Sequence, residues 1–330
     1  MSTNKLYPLG IDVGATSTKI GLFNQQWDII ARRVISADTY QVPEEFFKEI
    51  KKAVEDIFEE FSLEKKNAHG IGIGLPGCVD SRNGIVRDLT NLPEWHSVKV
   101  AENMKQTLGI PTYIDNDVNL MTIGELEHGA GKMCNNMICC TLGTGVGGGI
   151  VINGKLYRGS TLCAGEIGHM FLFPGLTASS DNKDAILEKY VGNNAIISRT
   201  QKMIENARTR HSILLDLVEN NVSKITPKII YEAAVKGCHL SKTVWEETGY
   251  YIGMVFASIV NLLNPDKIVI GGGIAQAGDI LFEPIATAIR KNAIAVATCD
   301  IEIVPAELKE DAGMYGAATY GMKYEYYGEK

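Results

Sequence analysis

The sequence predicts an α/β protein built from two related domains that face each other across a cleft. Its 330 residues are about twice the size of a typical single domain. Strand-like segments alternate with amphipathic helices, and a strand, glycine turn, strand unit occurs twice, around Asp12-Val13-Gly14 and again around Gly143-Thr144-Gly145. The expected boundaries are 1–116 for an N-terminal α/β domain, 117–310 for a C-terminal α/β domain carrying a helical insertion, and 311–330 for a terminal helix returning to the first domain. With 45% hydrophobic and 22% charged residues, the composition is that of a globular chain with a real core, not of a disordered or fibrous one.

The elements follow in order. Leu9 to Phe23 and Trp27 to Ile35 are rich in β-branched and apolar residues, are broken by turns at Gly14/Thr16 and Asn24-Gln25-Gln26, and read as adjacent antiparallel strands. Pro43 to Phe61 spaces Phe46, Ile50, Val54, Ile57 and Phe61 three and four residues apart, which predicts an amphipathic helix packed on that sheet. Ile71 to Leu75 and Thr112 to Ile114 read as buried strands ending at Pro76-Gly77 and at Asp115-Asn116-Asp117, so polar groups sit where strands stop, the usual ligand side of such a sheet. A helix over Val118 to His128 comes next. The pattern then restarts, with Asn136 to Leu142 and Gly148 to Ile152 flanking a glycine turn and Asn153-Gly154 closing a hairpin. Leu187 to Gly237 is mainly helical, with Thr226-Pro227 as a cap and first-turn pair. Lys242 to Leu263 reads as one long helix, Lys267 to Ile270 as a strand running into Gly271-Gly272-Gly273, and Ile280 to Lys291 as a further helix.

Lys plus Arg total 32 against 39 Asp plus Glu, a net charge of −7, so the chain offers no basic field for nucleic acid or anionic lipid. An anionic ligand must be held by local geometry. The seven cysteines are odd in number and contain no CxxC pair, which suits reduced thiols in a cytoplasmic protein. Met1 to Pro8 lacks the pattern of a secretory signal, so no export is expected. The apolar stretch Tyr250 to Leu263, about 14 residues, is short of the roughly 20 that span a bilayer and reads as a buried helix.

Three glycine clusters carry the chemistry: Asp12-Val13-Gly14-Ala15-Thr16, Gly143 to Gly149, and Gly271 to Gly273. Glycine turns after strands expose successive backbone N–H groups that can bind phosphate without a lysine, although any one cluster alone reads equally as a tight hairpin. Neither a P-loop lysine nor a dinucleotide fingerprint follows the first strand. Asp12 and Thr16 add an acid and a hydroxyl suited to hydrated Mg²⁺ and a terminal phosphate, or to turn formation alone. Asp117, taken by itself, reads first as a helix N-cap. Glu166, His169 and Glu188 supply two carboxylates and an imidazole, groups suited to the crowded hydroxyls of a sugar. No cysteine lies between Met170 and Ile186, so His169 lacks partners for a zinc site.

In combination these motifs resemble the ROK family (repressors, open reading frames and kinases), whose fold is the two-domain actin-like ATPase, or ribonuclease H-like, architecture. The resemblance runs nearly end to end through Leu9 to Thr16, Gly74-Leu75-Pro76-Gly77, Asn116-Asp117, Leu142 to Gly149, Gly165-Glu166-Ile167-Gly168-His169, Asn261 to Pro265 and Val269 to Gly273. It implies ATP and Mg²⁺ as cofactors and a hexose or hexose derivative as substrate. It further implies that Asp12, Gly14, Thr16 and Lys19 attend the phosphates and, through Asp12 and water, the Mg²⁺. Gly143, Thr144, Gly145 and Gly147 form a second phosphate loop, and Gly272 and Gly273 border adenosine. Gly77, Asn116, Asp117, Glu166, His169 and Glu188 match sugar-contacting positions, with Asp117 as catalytic base. Family members commonly bind zinc through the histidine and three cysteines; here the cysteines are missing, so a zinc-free variant is expected, with Phe171, Leu172 and Phe173 as apolar anchors of the segment. A homodimer is also implied.

The competing reading is a sugar-responsive transcriptional regulator or sensor. About eight residues precede the first strand, too few for an N-terminal helix-turn-helix, and the acidic charge is unsuited to DNA. A nucleotide-hydrolysing actin-like protein would leave Glu166, His169 and Glu188 without a sugar role.

Overall fold

A computed structural model describes residues 5–14, 16–36, 41–89, 93–172, 185–206 and 212–328. The strands are β1 (Leu9–Val13), β2 (Ser17–Phe23), β3 (Ile29–Ser36), β4 (Ile71–Leu75), β5 (Cys78–Asp80), β6 (Ile85–Asp88), β7 (Thr112–Asn116), β8 (Met137–Leu142), β9 (Val146–Ile152), β10 (Lys155–Tyr157), β11 (Lys267–Gly271) and β12 (Glu302–Pro305). The helices are α1 (Pro43–Glu60), α2 (Val100–Leu108), α3 (Asp117–His128), α4 (Glu188–Val191), α5 (Asn193–Asn206), α6 (Ile213–Leu217), α7 (Pro227–Val235), α8 (His239–Leu263), α9 (Asp279–Asn292), α10 (Ala312–Met322) and α11 (Tyr324–Tyr327). The chain divides into two compact units. The first holds Met1–Asn135, Gly149–Ala164 and Ala306–Lys330, and the second Asn136–Gly148 and Gly165–Pro305.

The first sheet has the order β3-β2-β1-β4-β7. β1, β2 and β3 form an antiparallel meander, and β4 and β7 continue parallel to β1, with Asp12 opposite Gly74 and Gly74 opposite Asp115. The apolar faces of β1, β2, β4 and β7 bury Leu9, Ile11, Ile20, Leu22, Ile73 and Ile114 against Phe46, Ile50, Val54 and Ile57 of α1 and Met104 and Leu108 of α2. Burial of this kind, about 25 cal/mol per Å² of apolar surface, is what holds the amphipathic helix to its sheet. On the opposite face lies α10, rich in alanine and glycine. A Cβ on Gly72 would overlap the Ala317 carbonyl, and one on Gly316 would overlap the Leu120 carbonyl. α10 therefore lies directly on the backbone of β4 on one side and of α3 on the other. Gly10, Gly72, Gly124 and Gly316 all serve this close packing.

The second sheet has the order β10-β9-β8-β11-β12. β11 runs parallel to β8 and β12, while β9 and β10 are antiparallel. Strand for strand this repeats the first sheet, β1 corresponding to β8, β4 to β11 and β7 to β12, so the duplication read from the glycine turns is present in the topology. In the second unit α8 buries Trp245, Ile252, Phe256 and Val260, and α9 buries Leu281, Ile285 and Ile289. Thr226 caps α7 by accepting from the Ile229 N–H at 3.3 Å. No described helix is long and apolar enough to cross a membrane.

The units divide the chain at points other than the expected 116/117 and 310/311. α3 packs along α10 through Gly316, which keeps residues 117–135 in the first unit, and residues 149–164 and 306–330 belong there too.

Candidate active site

In the first unit the polar residues gather at the carboxyl ends of three adjacent parallel strands. β1 ends at Asp12-Val13, β4 runs on into Pro76-Gly77, and β7 ends at Asn116 immediately before α3. Gly74, between Asp12 and Asp115 in the register, has no side chain to separate its neighbours: a Cβ there would lie 3.4 Å from Asp117 Cα and 3.8 Å from Asp12 Oδ1. Asp12 and Asp117 thus share one corner of the sheet. Burial, then the charge of Asp117, push the Asp12 carboxyl up to about 7; Lys19 opposes this and Asp311 adds to it. Lys19 lies opposite Asp12 on β2, and its Nζ donates to the Glu310 carbonyl at 2.8 Å. Thr16 is exposed, and Gly14 N–H donates to Ser17 O at 3.0 Å to close the turn; Ala15 lies outside the described residues.

The cap of α3 is Asn116. Its Oδ1 accepts from Val118 N at 2.9 Å and Asn119 N at 3.2 Å, while its Nδ2 donates to the Gly77 carbonyl at 3.2 Å. Asp117, the expected cap, sits one residue later in the first turn, with Oδ1 also accepting from Val118 N at 3.0 Å. The helix start is secured by its neighbour, and Asp117 is partly exposed.

Behind this turn lies a pair that the sequence does not announce. Asp115 and Arg158 are 2% and 3% exposed at the side chain, and Arg158 directs Nε at 2.7 Å and a second nitrogen at 2.6 Å to Asp115 Oδ2. The other carboxylate oxygen accepts from Asn116 N at 2.7 Å and Asn119 Nδ2 at 2.9 Å. Arg158 also donates to the Tyr327 carbonyl at 2.8 Å, and Tyr327 bonds Glu127 through its hydroxyl. The segment carrying Asn116 and Asp117 is therefore held from behind by a buried, hydrogen-bonded ion pair. The only signal in the sequence is the Asp115-Asn116-Asp117 cluster itself; nothing near Arg158 indicates a partner 43 residues away.

In the second unit the two glycine turns are neighbours, because β8 and β11 are parallel and paired, with Gly271 opposite Thr141. Gly272 has φ +88° and leaves no room for a side chain against Leu142, while Gly273 opens to solvent. Gly143 N–H donates to Gly145 O at 3.0 Å, and Gly143 O accepts from Asn193 N at the start of α5 at 2.9 Å. Thr144 is exposed at the tip and Gly147 is partly buried. Glu188 accepts from Val146 N at 3.0 Å, and a Cβ on Gly145 would come within 2.7 Å of its Oε2. This carboxylate braces the glycine turn. Glu166 and His169, both exposed, bracket the 3₁₀ turn Ile167–His169, which packs through Gly168 against Val146.

The arms of the segment from Met170 to Ile186 meet through backbone: Leu187 N donates to Met170 O at 2.9 Å and Leu172 N to Ala185 O at 2.8 Å. The apolar anchoring expected of Phe171 is not what holds it, since Phe171 is 64% exposed; Leu172 is half-buried, and the buried residues are Ile186 and Leu187 on the returning arm. Phe173 lies outside the described residues. Among the described residues no group of three or more His, Cys, Asp or Glu side chains is arranged to hold a metal ion.

The described site residues thus fall into two sets. Asp12, Gly14, Thr16, Lys19, Gly77, Asn116 and Asp117 belong to the first unit, and the glycine turns with Glu166, His169 and Glu188 to the second. Comparison with known proteins matches the chain to the ROK family over residues 8–323. The chain belongs to the ROK family. This ROK protein is 31% identical to the glucokinase of Thermotoga maritima over 317 residues, 96% of this chain and 97% of that protein. The solved structure of a ROK family glucokinase from Streptomyces griseus, in complex with glucose and AMPPNP, matches with a TM-score of 0.79 and 28% identity, covering 96% of this chain and 99% of that one. The xylose repressor of Caldicellulosiruptor bescii is 27% identical over 308 residues, 93% of this chain and 76% of that protein. The ROK protein has the α/β, actin-like ATPase fold of these sugar kinase structures.

Proposed function

We propose that the chain is an ATP-dependent sugar kinase that phosphorylates a hexose or hexose derivative, with Asp117 as general base. The observation that carries this is the convergence of Asp117 and Asp12 at the ends of β7 and β1, on either side of Gly74 of β4, with the Asp12 carboxyl pushed up to about 7 by burial and then by the charge of Asp117. Asn116 is the cap of α3, and Asp117, one residue later and partly exposed, carries the carboxylate suited to accept the proton of the attacking hydroxyl. Gly77 and Asn116, bonded to each other, and Glu166, His169 and Glu188 are the groups suited to orient the sugar. The backbone of Gly143 to Gly147 is suited to the phosphates and that of Gly272 and Gly273 to the nucleoside.

Asp12 fits Mg²⁺. Two neighbouring carboxylates, each raising the cost of ionising the other, concentrate negative charge that a divalent cation would relieve. Bound through Asp12 and water, the ion supplies charge neutralisation on the transferred phosphoryl. Positioning and charge stabilisation, more than covalent chemistry, then account for the rate.

The test is ADP release with ATP and Mg²⁺ over a panel of glucose, mannose, fructose and N-acetylated amino sugars, glucose first because the Thermotoga maritima relative and the Streptomyces griseus structure are glucokinases. Sugar-dependent ADP formation by the wild type, lost in Asp117→Ala, is expected. Binding of a sugar with no ADP formation under any condition would instead favour the regulator reading, for which the 27% identity to a xylose repressor speaks.

A further inference from the structure

We propose that Cys78 and Cys163 form a thiol pair that hydroperoxides oxidise to a disulfide, and that this modification lowers turnover. The two residues are 85 apart in sequence, yet their Sγ atoms lie 3.7 Å apart within the first unit. All seven cysteines are free thiols. Cys139, Cys140 and Cys238 are buried, whereas Cys163 is exposed and Cys78 is partly so. A disulfide needs the sulfurs to close to about 2.05 Å, a movement within reach of side-chain rotation and small backbone adjustment.

The chemistry assigns different tasks to the two thiols. Burial, then the hydrogen bond and charge of Cys163, raise the Cys78 thiol above its ordinary value, so the exposed Cys163 meets the oxidant first. Its sulfur attacks the peroxide, the O–O bond breaks, and Cys163 sulfenic acid and one water form. Cys78, already in contact, then displaces hydroxide from that sulfur; the S–O bond breaks, the S–S bond forms, and the hydroxide leaves as a second water with the thiol proton. Two thiols are oxidised and one hydroperoxide is reduced.

The position of the pair gives the bond its consequence. Cys78 follows Gly77, whose carbonyl holds the Asn116 side chain, and its backbone pairs with Asp88 across the β5–β6 ribbon. Cys163 lies one residue before Ala164, where the chain leaves the first unit for Gly165 and the Glu166 to His169 turn. Drawing the sulfurs together displaces one or both of these segments. A misplacement of about 1 Å at positioning residues can cost on the order of 10²-fold in rate.

The experiment treats the intact enzyme with hydrogen peroxide and reads three quantities: non-reducing peptide mass mapping, ADP formation, and recovery with dithiothreitol. The expected result is a Cys78–Cys163 linked peptide, a loss of activity of about 10- to 100-fold and full recovery on reduction. Cys163→Ser and Cys78→Ser should keep the basal activity and resist peroxide, whereas Cys299→Ser, which removes an exposed thiol elsewhere, should be as sensitive as the wild type. Absence of the linked peptide at a dose that oxidises Cys299 overturns the pairing. A linked peptide with unchanged activity overturns its effect on turnover. Because the linkage is read by mass, failure of the kinase assay itself leaves that arm of the test standing.

Discussion

Asp117 and Asp12 differ in what their surroundings ask of them. Asp12 sits at the end of β1, where burial and the neighbouring Asp117 carboxylate push its carboxyl up to about 7, so a bound cation would favour its ionised form. Asp117 is partly exposed, at the start of a helix whose N-terminus favours negative charge. The kinase reading therefore assigns the proton transfer to Asp117 and the cation to Asp12. Asp117→Ala is expected to lower kcat by roughly 10²–10⁴ while sugar affinity, measured by calorimetry, changes little. Asp12→Asn is expected to act differently, raising the Mg²⁺ concentration needed for half-maximal rate, as an activity titration against the metal would show. Equal loss of sugar binding in Asp117→Ala would mean that the residue orients substrate only.

At the scale of elements, the β7–α3 junction depends on the buried Asp115–Arg158 pair more than on helix propensity. Arg158→Met leaves the Asp115 carboxylate buried with fewer partners, and removal of one member of such a pair costs about 3–5 kcal/mol. Urea unfolding should show the midpoint falling with little change in slope. Asp115→Asn combined with Arg158→Met should cost less than the sum of the single changes, since neither charge is then stranded. The contact of α10 with α3 makes a second demand: Gly316→Ala places a methyl group against the Leu120 carbonyl and is expected to destabilise by about 1–3 kcal/mol in the same assay. These two features also mark where sequence reading stops. The strand ends, the Gly143 to Gly147 turn and the 3.6-residue spacing of Phe46, Ile50, Val54 and Ile57 are local patterns, and they were legible because period and turn chemistry are local. Arg158 is not, because its role is defined by a partner on another strand. Nor was Asn116 as the cap of α3, since Asn and Asp are nearly equal as caps and three such residues stand in a row. The glycines of β4 and α10 look like any others until the elements that press on them are in place.

For the molecule as a whole, the first unit is assembled from three separate stretches of chain, and His128 lies where the first and the last of them pack together. Its ring packs on Trp27 with centroids 4.1 Å apart and on Tyr315 at 5.4 Å, and its Nε2 is 2.8 Å from Thr319 Oγ1. That hydroxyl donates to the Tyr315 carbonyl at 2.8 Å, so it accepts from the ring, and the imidazole is satisfied in its neutral form. Burial first, and then the positive charges of Lys323 and Lys132, lower the His128 pKa from 6.5 to about 4, against the opposing pull of Glu127. The unfolded chain thus binds a proton near pH 6.5 that the folded chain refuses until about pH 4. Between those values the unfolded state holds more protons, so stability rises with pH, and the contribution is lost progressively as the solution is acidified through that window. One pKa unit corresponds to about 1.4 kcal/mol, which sets a ceiling of about 3 kcal/mol; solvent access to a half-buried ring brings the expected loss to about 1–2 kcal/mol. Burial opposes the ionisation of Glu127 next door, yet bonds from Lys323 and Tyr327 hold its carboxyl below its ordinary 4.5, so its contribution falls away only at lower pH. The two effects separate in a series of urea titrations from pH 7 to pH 4, run on the wild type and on His128→Gln. Relative to the variant, the wild type should lose stability between pH 6.5 and 4.5, because glutamine keeps a donor for Thr319 without a titrating proton, while Asp12, raised to about 7, gains stability on acidification equally in both. Parallel curves for the two proteins would place the acid sensitivity elsewhere.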